Sequence, residues 1–155
     1  MTNPQPGDAA PDFTLAGEAG PITLGDFAGR KLVLYFYPKD DTPGCTTEGK
    51  DFSALLADFA ATDANVVGVS RESAQSKAKF RAKHGLTVGL GADADGAVTQ
   101  GYGVWVEKAM YGKTYMGIER ATFLIGRDGR IARVWSKVKV NGHAADVLAA
   151  AQALG

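Results

Sequence analysis

Apolar positions along the chain follow two periods, and the switch between them marks the elements. Leu32 to Tyr37, reading LVLYFY, is a short apolar run rich in β-formers and closed by Pro38, which predicts a buried strand. Asn65 to Ser70, NVVGVS, predicts a second. Between them Phe52, Leu55, Leu56 and Phe59 recur at i, i+3, i+4 and i+7, the stripe of one helix packed on a sheet. Thr42 suits the N-cap of that helix and Pro43 its first position, where a missing N–H needs no partner. Cys45 then falls in the first turn, seven residues before Phe52 and on the same face, so its sulfur is predicted to point inward at the bottom of a pocket.

The same reading carries through the rest of the chain. Phe13 to Leu15 and Ile22 to Leu24 read as a short hairpin around Gly17 to Pro21, Ser73 to His84 as a helix capped by Ser73 and ended by Gly85, and Thr87 to Leu90 as a third strand. Asp95 to Tyr102 reads as a short helix. Ala121 to Ile125 and Ile131 to Ser136 flank Arg127-Asp128-Gly129-Arg130, whose Asp-Gly pair signals a tight antiparallel turn. A last helix is predicted from about Ala144 to Leu154, with Asn141 or Gly142 near its start. The order β-α-β-α then β-β-α predicts an α/β, thioredoxin-like fold, a mixed central sheet with helices on both faces and an N-terminal β-hairpin extension. With no repeat or linker in view, residues 1–155 are expected to form a single domain.

Seventeen basic and seventeen acidic residues give a formal net charge of zero, which argues against a nucleic-acid or anionic-membrane partner. No run reaches membrane-spanning length, and the N-terminal MTNPQPGDAAPDF lacks a basic start followed by an apolar core, so a cytoplasmic protein is expected. The single cysteine excludes an internal disulfide and any multi-cysteine zinc site.

That cysteine carries the chemistry. The first N–H groups of a helix lack intrahelical partners and the macrodipole is positive there, both of which favour a thiolate, the nucleophilic form. An inert buried cysteine would be the common alternative, but it would not require a strand, a polar loop, a threonine, a proline and a glycine to deliver it to a helix N-terminus.

The residues around it resemble a known family. Pro38, Thr42 and Cys45 match the pattern PxxxTxxC of the peroxiredoxins, and YFYPKDDTPGCTTE is similar to the peroxiredoxin Q branch, also called bacterioferritin comigratory proteins. GVWVEKAMYGKTYMGIERATFLI and VWSKVKVNGHAADVL continue the similarity over nearly the whole chain. The resemblance implies a thioredoxin-like fold and a thiol peroxidase that reduces hydrogen peroxide and organic hydroperoxides to water and alcohols through a sulfenic acid on Cys45, without metal, haem or flavin. It further implies that Thr42 and Arg120 position the peroxide, that Pro38 shields the sulfur, and that Glu48 aims Arg120. Taken without the family, Arg120 would be an edge charge, Thr42 a helix cap, Pro38 a strand stop and Glu48 an exposed first-turn carboxylate. One departure matters. Relatives carry a resolving cysteine five residues after the first or in the helix that is here Ser73 to His84, whereas this chain has Lys50 at the first place and no cysteine in the second. A one-cysteine cycle recycled by an external thiol follows, from thioredoxin, glutaredoxin or glutathione, in a monomer or weak homodimer.

The remaining candidates read as structural. His84, at a helix end, and His143, at the start of the last helix, are expected at the surface. Trp105, Tyr111 and Tyr115 are expected to pack against the domain or a partner, and Asp93 and Asp95 to form a turn and helix cap rather than a metal loop. Two rival functions remain: a redox sensor on the same fold, and a disulfide reductase, disfavoured because that chemistry uses CxxC.

Overall fold

The computed structural model describes residues 3–155. The predicted apolar runs become strands β3 (Lys31–Phe36), β4 (Ala64–Ser70) and β8 (Ala121–Ile125), each buried along nearly its whole length. Around them lie β1 (Thr14–Gly17), β2 (Gly20–Thr23), β5 (Gly89–Ala92) and β9 (Ile131–Trp135), in one seven-stranded sheet of order β2-β1-β5-β4-β3-β8-β9. β3 pairs parallel with β4 and antiparallel with β8, so the sheet is mixed, as the element order predicts.

Helices α1 (Pro43–Ala54), α2 (Leu56–Ala61), α3 (Ala74–His84) and α5 (His143–Ala153) pack on one face, where Val33, Tyr35, Phe52, Phe59, Phe80 and Val147 form a core that includes Cys45. The other face is covered by the short α4 (Ala97–Gly101), a 3₁₀ turn over Leu24–Phe27 and the N-terminal segment. α3 ends as the sequence predicts: Ser73 Oγ accepts from Ser76 N, and Gly85 takes the left-handed conformation.

Several expectations change. The stripe from Phe52 to Phe59 belongs to two helices, because Leu55 leaves helical geometry and its N–H bonds to the Phe52 carbonyl, three residues back. β5 lies two residues later than predicted at both ends, and α4 is shorter than Asp95 to Tyr102. A second, two-stranded sheet of β6 (Trp105–Met110) and β7 (Lys113–Ile118) projects from the body. Tyr111 at φ 52 and Gly112 at φ 76 turn it, and Tyr111 is 96% exposed, so this tyrosine does not pack on the domain. His143 is buried rather than at the surface: its Nε2 lies 2.8 Å from Thr122 Oγ1, with Phe52 and Trp135 presenting rings to it edge-on. That one hydroxyl partner allows a neutral imidazole to be buried. Asp93 behaves as expected, accepting from the N–H groups of Val98 and Thr99 at the start of α4.

Candidate active site

The polypeptide leaves β3 at Phe36 and enters α1 at Pro43, and the six residues between carry the turn. Pro38 is half-buried directly after the strand, while Lys39 and Lys50 are exposed. Thr42 has the extended backbone of an N-cap and Pro43 follows at the first helical position. The Thr42 hydroxyl does not cap the helix, however. It donates to the Lys39 carbonyl at 2.9 Å, closing the loop back on itself. The helix N–H groups near Cys45 are therefore not taken up by that side chain.

Cys45 is 2% exposed and packs on the same core as Phe52, in agreement with the helical spacing. Arg120 stands immediately before β8, whose first residue, Ala121, pairs with Phe36 at the end of β3. Its carbonyl accepts from Val138 N at 3.0 Å, which ties the strand start to the segment after β9. From there the guanidinium reaches two groups at once: Nη2 donates to Cys45 Sγ at 3.3 Å and Nη1 to Glu48 Oε1 at 2.6 Å. Gly44 makes room for it, since a Cβ there would stand 3.1 Å from Arg120 Nη2.

Glu48 is 1% exposed, not the solvated carboxylate that its place in the first turns would suggest. Among the described residues no donor reaches its Oε2. Burial pushes its carboxyl up to about 7, against the opposing pull of Arg120. Burial works to lower Arg120, but Glu48 and Cys45 outweigh it and raise its pKa, so the guanidinium keeps its charge. A second cation that the sequence did not point to belongs to the same electrostatic neighbourhood. Lys108 on β6 is lowered by partial burial and then by Arg120, while Cys45 pulls it the other way, so the sulfur lies within its electrostatic reach. Also missed was a fully buried lysine, Lys77 on α3, which pairs with Asp40 of the loop. Its only sequence signal was an ordinary position on a polar helix.

Among the described residues, no three His, Cys, Asp or Glu side chains gather where they could hold a metal ion, and no helix is long and apolar enough to cross a membrane. The arrangement offers a cysteine at a helix start, a fixed guanidinium on its sulfur, and a buried carboxyl behind that guanidinium. Such a group can attack an electrophile and stabilise the negative charge that develops.

Comparison with known proteins agrees with this chemistry. The AhpC/TSA family model matches residues 6–134. Peroxiredoxin Bcp of Xanthomonas campestris is 53% identical over 131 residues, covering 84% of this chain and 82% of that protein. Peroxiredoxin Bcp of Bacillus subtilis is 47% identical over 143 residues, covering 92% and 91%. A structure from work on the alkyl peroxide reduction activity of the X. campestris bacterioferritin comigratory protein matches with a TM-score of 0.90 at 46% identity, over 99% of this chain and 96% of that one. A family match across most of the chain, shared by relatives of near-equal length, leaves one assignment: the chain belongs to the AhpC/TSA family, as a thiol-dependent peroxidase of the Bcp, or peroxiredoxin Q, kind.

Proposed function

We propose that Cys45 is the nucleophile of this peroxidase and that Thr42 and Arg120 bind the hydroperoxide against it, with Pro38 and Glu48 in support. The observation that carries the reading is the 3.3 Å hydrogen bond from Arg120 Nη2 to a sulfur in the first turn of α1. The thiolate attacks the terminal oxygen of R–O–O–H; the S–O bond forms as the O–O bond breaks, leaving a sulfenic acid on Cys45 and an alkoxide that takes a proton to become the alcohol. With hydrogen peroxide the leaving group is hydroxide and the product water. Arg120 offers its remaining N–H groups to the oxygen that gains charge, and being unable to lose its own charge it stabilises that oxygen throughout.

Thr42 takes a more specific part than donor. A hydroxyl has one proton to give, and this one goes to Lys39. Its lone pairs remain, so toward a hydroperoxide Thr42 accepts the O–O–H proton and turns the terminal oxygen toward the sulfur. Pro38, half-buried after β3, keeps bulk water from the thiolate. Glu48 holds one arm of the guanidinium so that the other stays on Sγ.

With one cysteine in the chain, the sulfenic acid condenses with an external thiol, releasing water, and a second thiol reduces the mixed disulfide. Thioredoxin, glutaredoxin with glutathione, and glutathione alone are the candidate reductants. The neutral overall charge supports a protein that binds neither nucleic acid nor an anionic membrane, and the same reading takes it as a cytoplasmic protein of one domain, a monomer or weak homodimer. Peroxide consumption with each reductant, in wild type and in Cys45→Ser, tests the reading. Continuous turnover that vanishes in the variant is expected; consumption that stops after one equivalent with every thiol would mark a sensor instead.

A further inference from the structure

The loop that delivers Cys45 is fastened from one side, by α3, through contacts onto two consecutive aspartates. Asp40 is buried, and its carboxylate accepts from Tyr37 Oη at 2.6 Å and Ser76 Oγ at 2.7 Å, with Lys77 Nζ at 3.4 Å from both oxygens. Lys77 itself is 0% exposed and donates to Ser70 Oγ at 2.6 Å and the Glu72 carbonyl at 3.1 Å. The Asp40 N–H is held as well, by Glu72 Oε1 at 2.7 Å. The next residue, Asp41, has φ 62, a conformation costly for a side-chain-bearing residue, and is gripped by Lys83 at 2.8 Å and His84 at 2.6 Å from the far end of α3. Asp41 is followed directly by Thr42.

A buried ion pair is a poor means of gaining stability, because removing both charges from water offsets most of their attraction. Its use here is directional. Two bonded oxygens and a fixed ammonium define where Asp40 sits, and two residues on lies Thr42, the hydroxyl proposed above to accept the peroxide proton.

We propose that Lys77 and Asp40 are positioning residues for peroxide reduction: their buried pair pins the loop of residues 37–42 to α3 and thereby sets Thr42 relative to the Cys45 sulfur. This deepens the reading that Thr42 and Cys45 form the site and rests on it. The pair touches neither the sulfur nor the peroxide. Its loss therefore affects the reaction that needs Thr42 in place more than a reaction that needs only an accessible thiolate.

The test compares the second-order rates of Cys45 with hydrogen peroxide and with iodoacetamide, an electrophile with no O–O–H proton for Thr42 to accept, alongside the thermal midpoint. The variants are Lys77→Met and the double variant Asp40→Asn with Lys77→Met. Lys77→Met strands a buried carboxylate, and if it fails to fold the double variant, which removes both charges of the pair, carries the test. The double variant is expected to fold, to react with peroxide about ten-fold or more slowly than wild type, and to react with iodoacetamide at the wild-type rate or faster. A wild-type peroxide rate in the folded double variant overturns the proposal by making the pair a packing feature. Equal losses toward both electrophiles also overturn it, because the sulfur rather than the loop would have changed. Cys45→Ser in the same peroxide assay separates the two levels: if it stays active, the underlying assignment of the site is wrong, whatever Lys77 does.

Discussion

Arg120→Lys keeps the charge and removes the geometry, so it isolates what the guanidinium contributes. In the wild type two different nitrogens of one planar group serve two acceptors, Nη2 on Cys45 Sγ at 3.3 Å and Nη1 on Glu48 Oε1 at 2.6 Å. An ammonium has a single nitrogen on a flexible stem. It must either follow the shorter bond to Glu48, whose other oxygen has no donor among the described residues, or abandon a carboxyl that is 1% exposed. Following Glu48 is the cheaper choice, and the sulfur then loses a charge-assisted hydrogen bond worth about 1.5–3 kcal/mol. Spent on the transition state, that is roughly a 10- to 150-fold fall in kcat/KM for hydroperoxide. Thiol-coupled turnover over a range of peroxide concentrations measures it, with the near-ultraviolet circular dichroism spectrum as a check that the core is intact. A variant within about three-fold of wild type would refute the reasoning and return Arg120 to an edge charge that happens to lie near a cysteine.

Four further outcomes are expected. With one equivalent of peroxide and no reductant, intact mass should rise by one oxygen on Cys45, with excess peroxide driving it to sulfinic and sulfonic acids and a small thiol added first giving a mixed disulfide; a Cys45–Cys45 dimer as main product would show that the buried sulfur reaches a second copy. Glu48, raised by burial to about 7, contributes stability below its unfolded value that is lost as pH rises through about 7, so Glu48→Gln should flatten the fall in urea midpoint between pH 5 and 8. His143, held by burial down to about 4, has the opposite sign: its contribution is present above about 6.5 and is lost as pH falls toward 4, and His143→Leu should remove that part of the acid sensitivity seen in urea titrations. Gly68→Ala would place a Cβ 2.5 Å from Tyr35 Cζ in the centre of the sheet, and a loss of about 1–3 kcal/mol in denaturant titration is expected, whereas an unchanged midpoint would mean that Tyr35 moves freely.

The sequence was most legible where a residue's place depends on its near neighbours. β3 and β4 are continuous apolar runs, α3 has a serine cap and a glycine stop, and the spacing from Cys45 to Phe52 put the sulfur in the core. What escaped depends on partners far along the chain. His143 looked like a surface residue at a helix start because Thr122, Phe52 and Trp135, which enclose it, lie on three other elements. Lys77 is one lysine among several on a polar helix, and only the packing of α3 on the loop buries it against Asp40. β6 and β7 were missed for a different reason: they stand off the body, so burial imposes no clean alternation, and their turn is Tyr111-Gly112 rather than the expected Asn-Gly or Asp-Gly. The Thr42 side chain had two local oxygen-and-amide arrangements open to it, a helix cap or the Lys39 carbonyl, and the sequence does not distinguish them.

The sheet order also fixes when this protein becomes reactive. Cys45 and Arg120 are 75 residues apart, and Arg120 reaches the sulfur only because β8 inserts beside β3 in the middle of the sheet. On a ribosome, the strand, loop and helix that carry the cysteine emerge first and have no guanidinium to meet. β3 meanwhile lacks one neighbour and exposes an apolar edge. Long-range pairing of this kind is slow to form and leaves intermediates prone to aggregation. During that interval the thiol lacks the hydrogen bond from Arg120. With Cys45 and Arg120 in the roles proposed above, completing the sheet and arming the sulfur are a single event, so a partly made or misfolded chain carries little of the reactivity that would let peroxide over-oxidise it before it has a fold.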